Sequence, residues 1–319
     1  MERHLILGGT GFIGRHVALA LLRRSNVVTI AARSPLTEVP PGVNAKLLSF
    51  VPCDLASADW GSILLDGDVV HHYACSTIPK TANDDPLGDL DVNVRGTLRF
   101  LEALRKRQGT RLLFSSSGGT VYGPARRTPI PEGHALDPIT AYGASKVAIE
   151  KYLGFYRVMY GLDARIARLS NPYGAGQDPS GKQGAASIFL RLAMSGQPIQ
   201  VWGDGTVVRD YIHVSDAVAG LLALADAAPG GLGTHPVFNL GTGKGVSVAQ
   251  ILAFLEERLG RSLHVSYFPE RTFDVTVNIL DIRLARRVLK WSPKLGFNAG
   301  MDLAIRDLAQ GRSRYSTLL

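Results

Sequence analysis

The chain opens with His4-Leu-Ile-Leu7, Gly8-Gly9-Thr10-Gly11-Phe12-Ile13-Gly14 and an apolar-periodic run through Leu22. That order reads as a short strand, a G-x-x-G-x-x-G loop and a helix. Gly8 permits the tight turn, Gly11 lets a pyrophosphate approach the backbone, and Gly14 lets helix and sheet pack closely. Three glycines alone decide little. Their place between the first strand and the first helix points to a dinucleotide-binding loop. Gly8, Gly11, Phe12, Ile13 and Gly14 are its candidate cofactor contacts.

Outward from this loop the pattern alternates. Val27 to Ile30 is a second strand, Asp68 to Ala74 a later one, and Asn93-Val-Arg-Gly96-Thr97 leads an amphipathic helix through Leu104. Arg111 to Phe114 is the next strand, with Ser115, Ser116 and Ser117 at its carboxyl end. A helix from Tyr142 to about Tyr160 and a strand from Asp163 to Leu169 follow. Strands alternating with helices imply a parallel, doubly wound α/β sheet, which binds ligands beyond the carboxyl ends of its strands. Such sites often end the second strand in an acid that holds the cofactor ribose. Here the strand ends in Ala31-Ala32-Arg33-Ser34. Arg33 and Ser34 can meet a 2'-phosphate; otherwise Arg33 stacks on adenine or lies in solvent. Asp54-Leu55 is placed to meet the adenine amino group. Asn93 either satisfies a backbone group near the site or acts as a cap or surface residue. His71 and His72 have no further ligands at metal spacing, so packing or hydrogen bonding is expected of them.

Thr140-Ala-Tyr142-Gly-Ala-Ser-Lys146 carries the chemistry. Residues four apart share a helix face, so Tyr142 and Lys146 point toward one centre. A phenol with pKa near 10 is a poor acid-base group at pH 7, and an adjacent ammonium favours its ionised form. With a serine hydroxyl bridging phenol and substrate oxygen, the trio suits proton transfer at a carbinol while hydride leaves its carbon.

The bulk numbers bound the class. The chain has 319 residues, 45% hydrophobic and 19% charged, enough for one large or two medium domains around a sizeable core. The formal charge is +8, but the basic residues are dispersed, and Arg105-Lys106-Arg107 and Arg126-Arg127 lack a stacking pattern around them. Nucleic acid is therefore not expected as a partner. Cys53 and Cys75 are the two cysteines and show no metal spacing, as expected of reduced thiols in a cytoplasmic protein. No membrane partner or signal peptide is expected, since no apolar run approaches membrane length and the first strand begins at once.

After Leu169 the alternation breaks up. Asn171-Pro-Tyr-Gly174 and Pro179 to Gly184 read as loops, followed by a helix from about Ala185 to Met194. Short strands follow from Ile199 to Val201 and Val208 to Val214, then a helix from Ser215 to Ala225 that should return to the larger lobe. Phe238 to Gly241 gives a further strand. Residues 1–169 are expected to form a Rossmann-type dinucleotide-binding domain, with returning segments at about 215–245. Residues 170–319 mainly form a smaller C-terminal substrate-binding lobe, interleaved with the first.

Together these motifs resemble the extended short-chain dehydrogenase/reductase family, most closely its nucleotide-sugar 4-epimerases. The matching pieces are Gly8 to Gly14, Asn93 to Thr97, Ser115-Ser-Ser-Gly-Gly-Thr-Val-Tyr-Gly123, Tyr142 to Lys146, Arg168 to Gly174, Arg209-Asp-Tyr-Ile-His-Val214 and Arg271-Thr-Phe-Asp274. They span nearly the whole chain in family order. The resemblance implies that Tyr142 is the acid-base residue, Lys146 its electrostatic partner at the nicotinamide ribose, and Ser117 the family serine. One departure is that Gly118-Gly119 add a residue before Val-Tyr-Gly, so Ser116 or Thr120 can share the serine's role. Asn171, Arg209, Arg271 and Asp274 match positions that hold a nucleotide diphosphate and its ribose; salt bridges within the small lobe are the plainer alternative. Asn278 matches the position beside the sugar's C2 substituent, where a small residue would admit an N-acetyl group; capping the Leu280 to Leu289 helix region is its other reading. The implied activity is C4 epimerisation of UDP-GlcNAc/UDP-GalNAc and UDP-glucose/UDP-galactose through a 4-keto intermediate, with tightly bound NAD and NADP permitted by Arg33. An NADPH-dependent keto-sugar reductase and a non-catalytic dinucleotide-binding sensor or scaffold are the alternatives. A 4,6-dehydratase is disfavoured, because the family's Asp-Glu before Val-Tyr-Gly is Gly119-Thr120 here. The resemblance also implies a homodimer.

Overall fold

The computed structural model describes residues 2–310 apart from 37–38, 40–41, 178–183, 229, 233–235 and 271–274. Seven parallel strands form the main sheet: β1 (Arg3–Leu7), β2 (Val27–Ala32), β3 (Leu48–Pro52), β4 (Val69–His72), β5 (Arg111–Ser117), β6 (Asp163–Leu169) and β10 (Val237–Leu240). Their spatial order is β10-β6-β5-β4-β1-β2-β3, so the order reverses between β1 and β4. This is the doubly wound arrangement expected from the alternation. The reversal opens a crevice beyond the carboxyl ends of those strands.

Both faces of the sheet are covered, which is why its strands are apolar on both sides. On one face helix α1 (Phe12–Arg23) and the Val214–Asp226 helix pack through Val17, Leu21, Val218 and Leu222. On the other, the Gly96–Leu104 and Ala141–Tyr160 helices contribute Phe100, Leu104, Ile149 and Leu153. The glycine loop is sterically specified. Gly8 has φ +76°, and a Cβ on Gly14 would lie 2.4 Å from the Gly8 carbonyl oxygen. Any larger residue at 14 would push α1 off the sheet.

The smaller lobe holds β7 (Asn171–Tyr173), β8 (Ile199–Trp202), β9 (Val208–His213), β11 (Gly245–Ser247), β12 (Val265–Phe268) and β13 (Val277–Asn278). β9 pairs with β7, β11 and β13, while β12 pairs with β8. Its core includes Phe189, Leu190, Tyr211, Ile251 and Leu255. The chain crosses between lobes more than once: β10 lies beside β6 in the main sheet, whereas β9 and β11 on either side of it belong to the small one.

Three local expectations need correction. Asn171–Tyr173, read as a loop, is β7 and pairs with β9. The strand read from Asp68 to Ala74 is shorter, Val69–His72. Asn93 lies in a π-helical segment, Leu90–Arg95, that continues into the Gly96–Leu104 helix; one sequence periodicity does not distinguish the two. Among the described residues no helix is long and apolar enough to cross a membrane.

Five histidines are almost fully buried: His4, His16, His71, His72 and His213. Each makes a hydrogen bond, such as His71 with His4 at 3.0 Å and His72 with Thr97 Oγ1 at 3.1 Å. Burial lowers His16 and His213 to about 4 and His72 to about 3, and depresses His4 and His71 also. Folded values below the unfolded value of 6.5 mean that the unfolded chain binds more protons beneath that pH. The stabilisation from neutral burial is complete above 6.5 and is lost as pH falls toward the folded values. Glu132 and Asp210, whose carboxyls burial pushes up, act in the opposite sense but are fewer. The melting temperature should therefore fall continuously from pH 7 to pH 5, with net uptake of more than one proton on unfolding. Calorimetry showing a flat melting temperature across that window would contradict neutral burial of these imidazoles.

Candidate active site

The Ala141–Tyr160 helix begins where Thr140 Oγ1 accepts from Gly143 N at 3.1 Å and ends at Gly161, in the left-handed region at φ +66°. Tyr142, Lys146 and Glu150 fall at i, i+4 and i+8 of this helix and so lie along one face. Lys146 is buried. Its Nζ donates to the Ser115 carbonyl at 3.0 Å and sits 4.7 Å from the Phe114 ring centroid and 5.6 Å from that of Tyr142. The helix thus delivers its tyrosine and lysine to the end of β5.

Glu150 fixes the position of that face. Its carboxylate makes a bidentate pair with Arg168 on β6, with contacts of 2.6 to 3.2 Å, and accepts from Ser116 Oγ at 2.5 Å. Arg168 Nη1 also donates to Tyr122 Oη at 3.0 Å and to the Glu132 carbonyl at 2.9 Å, and Tyr122 Oη donates to Asn239 at 2.7 Å. All of the polar atoms of the pair are thereby engaged, the condition for burying two charges.

A cavity of about 880 Å³ lies where the carboxyl ends of the strands meet the smaller lobe. Gly8, Gly11, Phe12, Ile13 and Gly14 line one end. Ser115 to Ser117, Gly119, Thr120, Tyr142 and Lys146 form a wall, and Asn171, Tyr173, Gln200, Trp202, Arg209 and Tyr211 come from the small lobe. The dinucleotide reading fits these residues on one specific point. Gly11, the N-cap of α1, supplies no side-chain cap, so the first amide groups of that helix are left for an anionic ligand at the cavity.

The structure gathers Tyr142, Lys146, Ser117, Thr120, Asn171 and Arg209 around one space. Ser116 lines it too, but its hydroxyl is turned inward onto Glu150, which corrects the expectation that it shares the role of Ser117 at the substrate. Thr120 Oγ1 is buried with no hydrogen-bond partner. Arg209 rests its guanidinium on the Val208 and Val275 carbonyls, and Asn171 Nδ2 donates to the Asp210 carbonyl at 3.0 Å.

Other expected residues lie elsewhere. Arg33 is exposed just past β2 and Asp54 is exposed, its carboxyl accepting from Ala56 N at 2.9 Å; neither lines the cavity. Leu55 belongs to the apolar core. Asn93 does satisfy a backbone group, accepting from Ser76 N at 3.1 Å, in the segment that follows β4. Asn278 is fully buried, donates to the Gly118 carbonyl at 3.0 Å and does not line the cavity, so neither the sugar-contact nor the helix-cap expectation describes it. Pairing of β13 with β9 turns its side chain inward. Arg271 and Asp274 lie outside the described residues.

The electrostatics of Tyr142 also differ from the expectation. Burial, with further contributions from Cys75 and Asp89, holds its phenol well above the ordinary value. Lys146 is engaged with Ser115 and does not reverse that push. Cys75, Trp202 and Tyr211 were not foreseen as cavity residues. An aromatic closing a short strand with an i, i+2 pattern, as in Ile199–Trp202, was the available signal for Trp202.

Comparison with known proteins places this geometry. Residues 4–241 match the family described as the NAD dependent epimerase/dehydratase family. A putative UDP-glucose 4-epimerase of Methanocaldococcus jannaschii is 34% identical over 94% of this chain and 96% of its own. Among solved structures, a Thermotoga maritima UDP-glucose 4-epimerase with UDP-glucose superposes with a TM-score of 0.88 at 31% identity, covering 97% of this chain and 99% of that one. A Thermus thermophilus UDP-glucose 4-epimerase in complex with NAD gives 0.85 at 31% identity, over 96% and 99% of the two chains.

The Glu150–Arg168 pair generates a stability prediction. Glu150→Ala leaves the buried guanidinium unpaired and should cost about 3–5 kcal/mol in urea unfolding. Glu150→Met combined with Arg168→Met should recover much of that loss. A loss below about 1 kcal/mol for Glu150→Ala would mean that the pair does not hold the helix to the sheet.

Proposed function

The chain belongs to the NAD dependent epimerase/dehydratase family, and from that premise we propose that it is a nucleotide-sugar C4 epimerase acting on UDP-hexoses with tightly held NAD. One observation carries the reading. Tyr142, Lys146, Ser117 and Thr120 share a cavity with a helix N-terminus lacking a side-chain cap at one end and with Arg209 and Asn171 on the facing lobe. A proton-transfer centre thus adjoins groups suited to a nucleotide diphosphate.

NAD, when bound, supplies a hydride acceptor for C4 and the donor for the return. The chain's own residues handle the protons and the positioning. Tyr142 takes the C4 hydroxyl proton as the 4-keto sugar forms and returns it after the sugar has presented its other face. Since burial favours the neutral phenol, ionisation depends on nearby positive charge, and Lys146 is the side chain that provides it. Ser117, with Thr120 beside it on the same wall, bridges the phenol and the sugar oxygen. Arg209, with Arg271 and Asp274 by resemblance, holds the diphosphate and ribose, a task to which guanidinium geometry is suited. Both the UDP-glucose/UDP-galactose and UDP-GlcNAc/UDP-GalNAc pairs are assigned; the burial of Asn278 removes it as a reason to favour the N-acetyl pair.

A second reading, an NADPH-dependent nucleotide-4-keto-sugar reductase, is favoured by one feature. β2 ends without an acid that would repel a 2'-phosphate, and the exposed Arg33 just beyond it offers such a phosphate a cation. We assign NAD as the resident cofactor with tolerance of NADP. A cytoplasmic setting, in which the free Cys53 and Cys75 stay reduced, belongs to the same proposal.

We also propose a homodimer through the outer face of the Ala141–Tyr160 helix. Tyr152, Phe155 and Met159 form an i, i+3, i+7 stripe that is 42 to 61% exposed, and Val158 beside it is 84% exposed. Leu87, at 78%, extends the apolar area from the helix that precedes the π segment. Such contiguous exposure marks an interaction surface.

Purified protein incubated with UDP-glucose or UDP-GlcNAc should yield the corresponding C4 epimer without added or consumed NADPH, and denaturation should release NAD. Tyr142→Phe should lower kcat by about 10²–10⁴-fold while retaining the dinucleotide. Absence of any epimer, with stoichiometric NADPH oxidation on a 4-keto sugar, would establish the reductase instead. Light scattering should give about twice the 34.3 kDa chain mass, and Met159→Glu should shift the protein toward monomer. A wild-type monomer at micromolar concentration would exclude the dimer.

A further inference from the structure

We infer that Asp89 is a positioning residue for Tyr142, clamping the segment that follows β4 onto the helix that carries the Tyr142–Lys146 pair. The side chain is 1% exposed and accepts from three donors belonging to three parts of the chain. Thr77 Oγ1 and Asn93 Nδ2 reach Oδ1, the latter at 2.8 Å, and Ser145 Oγ reaches Oδ2. Ser145 lies in the helical turn between Tyr142 and Lys146. Thr77 lies in the segment that gives Cys75, Ile78, Pro79 and Lys80 to the cavity wall. One carboxylate therefore joins two walls of the site.

The clamp is reinforced on both sides. Asn93, which donates to Asp89, also donates to Thr77 Oγ1 at 2.9 Å and accepts from Ser76 N at 3.1 Å. It fixes the same segment through its backbone. At the start of the Tyr142 helix, Ala141 N donates to Asn83 Oδ1 at 2.9 Å, a second tie to the short Pro79–Asp84 helix. Asp89 closes the helical turn immediately before the π segment, whose wider turns are frequent at functional positions. A buried carboxyl with three donors is costly to maintain for packing alone. The donors it recruits lie on the elements that must keep register around the phenol.

Asp89 also acts on Tyr142 through space. The charged and titratable groups around the phenol are Lys146 on its own helix, Cys75 from the segment after β4, and Asp89. His72 lies buried and neutral near Lys146, and Lys80 lines the same cavity. Burial, Cys75 and Asp89 each push the phenol up. Removing the Asp89 charge should thus ease ionisation of Tyr142, while cutting the clamp should loosen the Cys75 segment.

The inference rests on Tyr142 being the proton-transfer residue, and two readouts separate the two ideas. In Asp89→Asn, the acid limb of the kcat profile should move to lower pH by about one unit, with affinity for UDP unchanged; a purely structural residue would not shift that limb. The backbone amides of residues 76–84 should exchange hydrogen for deuterium several-fold faster in Asp89→Asn and in Thr77→Val. That second readout needs no substrate, so it decides the clamp even if the wild-type protein fails to epimerise UDP-sugars. Thr77→Val keeps the charge and cuts one arm, and it serves if Asp89→Asn does not fold. Unchanged amide exchange over residues 76–84 in a folded variant overturns the clamp, and an acid limb that stays or moves upward overturns the action on Tyr142.

Discussion

Glu150 and Arg168 bury a full ion pair, with side chains 4 and 5% exposed, between the Tyr142 helix and β6. Both ends are hydrogen-bonded beyond the pair itself, Glu150 by Ser116 and Arg168 by Tyr122 and the Glu132 carbonyl. A buried pair of this kind adds little net stability over an apolar contact of equal volume. What it adds is discrimination. A slip of the helix along the sheet would leave two charges without partners, whereas apolar side chains would repack. The helix is therefore held where Tyr142 and Lys146 face the end of β5.

Much of the site's polarity follows from that constraint. Ser116 is spent on Glu150, so Ser115, Ser117 and Thr120 hold the remaining aliphatic hydroxyls on the wall, beside the Tyr142 phenol. Tyr122 passes the network to Asn239 on β10, which also donates to the Ile130 and Asp281 carbonyls. The last strand of the main sheet and the chain beyond β13 are thus tied to the same hydrogen-bonded frame. On the opposite side of the helix, Asp89, Asn93 and Thr77 hold the segment after β4. The cavity wall is braced from both flanks, as proton transfer over a short, fixed distance requires.

Asp210 performs the matching task in the smaller lobe. It is completely buried and accepts from Thr242 N and Oγ1, Gly243 N and Leu280 N. Those donors lie in the returning segment after β10 and in the segment after β13. Arg209, its neighbour on β9, faces the cavity instead. Alternation along one strand therefore gives adjacent residues opposite duties, one locking the lobe and the other lining the site.

The amino-acid sequence by itself determined the parallel alternating sheet, the glycine loop and the Tyr142–Lys146 face. Each depends on local steric rules or on spacing within one element: φ above zero at Gly8, close packing at Gly14, and a four-residue helical step. It did not reveal that Ser116 turns inward or that Asn278 on the two-residue β13 is buried against Gly118. It also left unseen the π segment at Asn93 and the role of Glu150, although Glu150 continues the same four-residue step. Those outcomes depend on which groups meet across elements that are 16 to 160 residues apart, as in Asn93 with Thr77 and Asn278 with Gly118. Tertiary packing decided them, because a buried polar atom takes whichever partner the fold brings within reach.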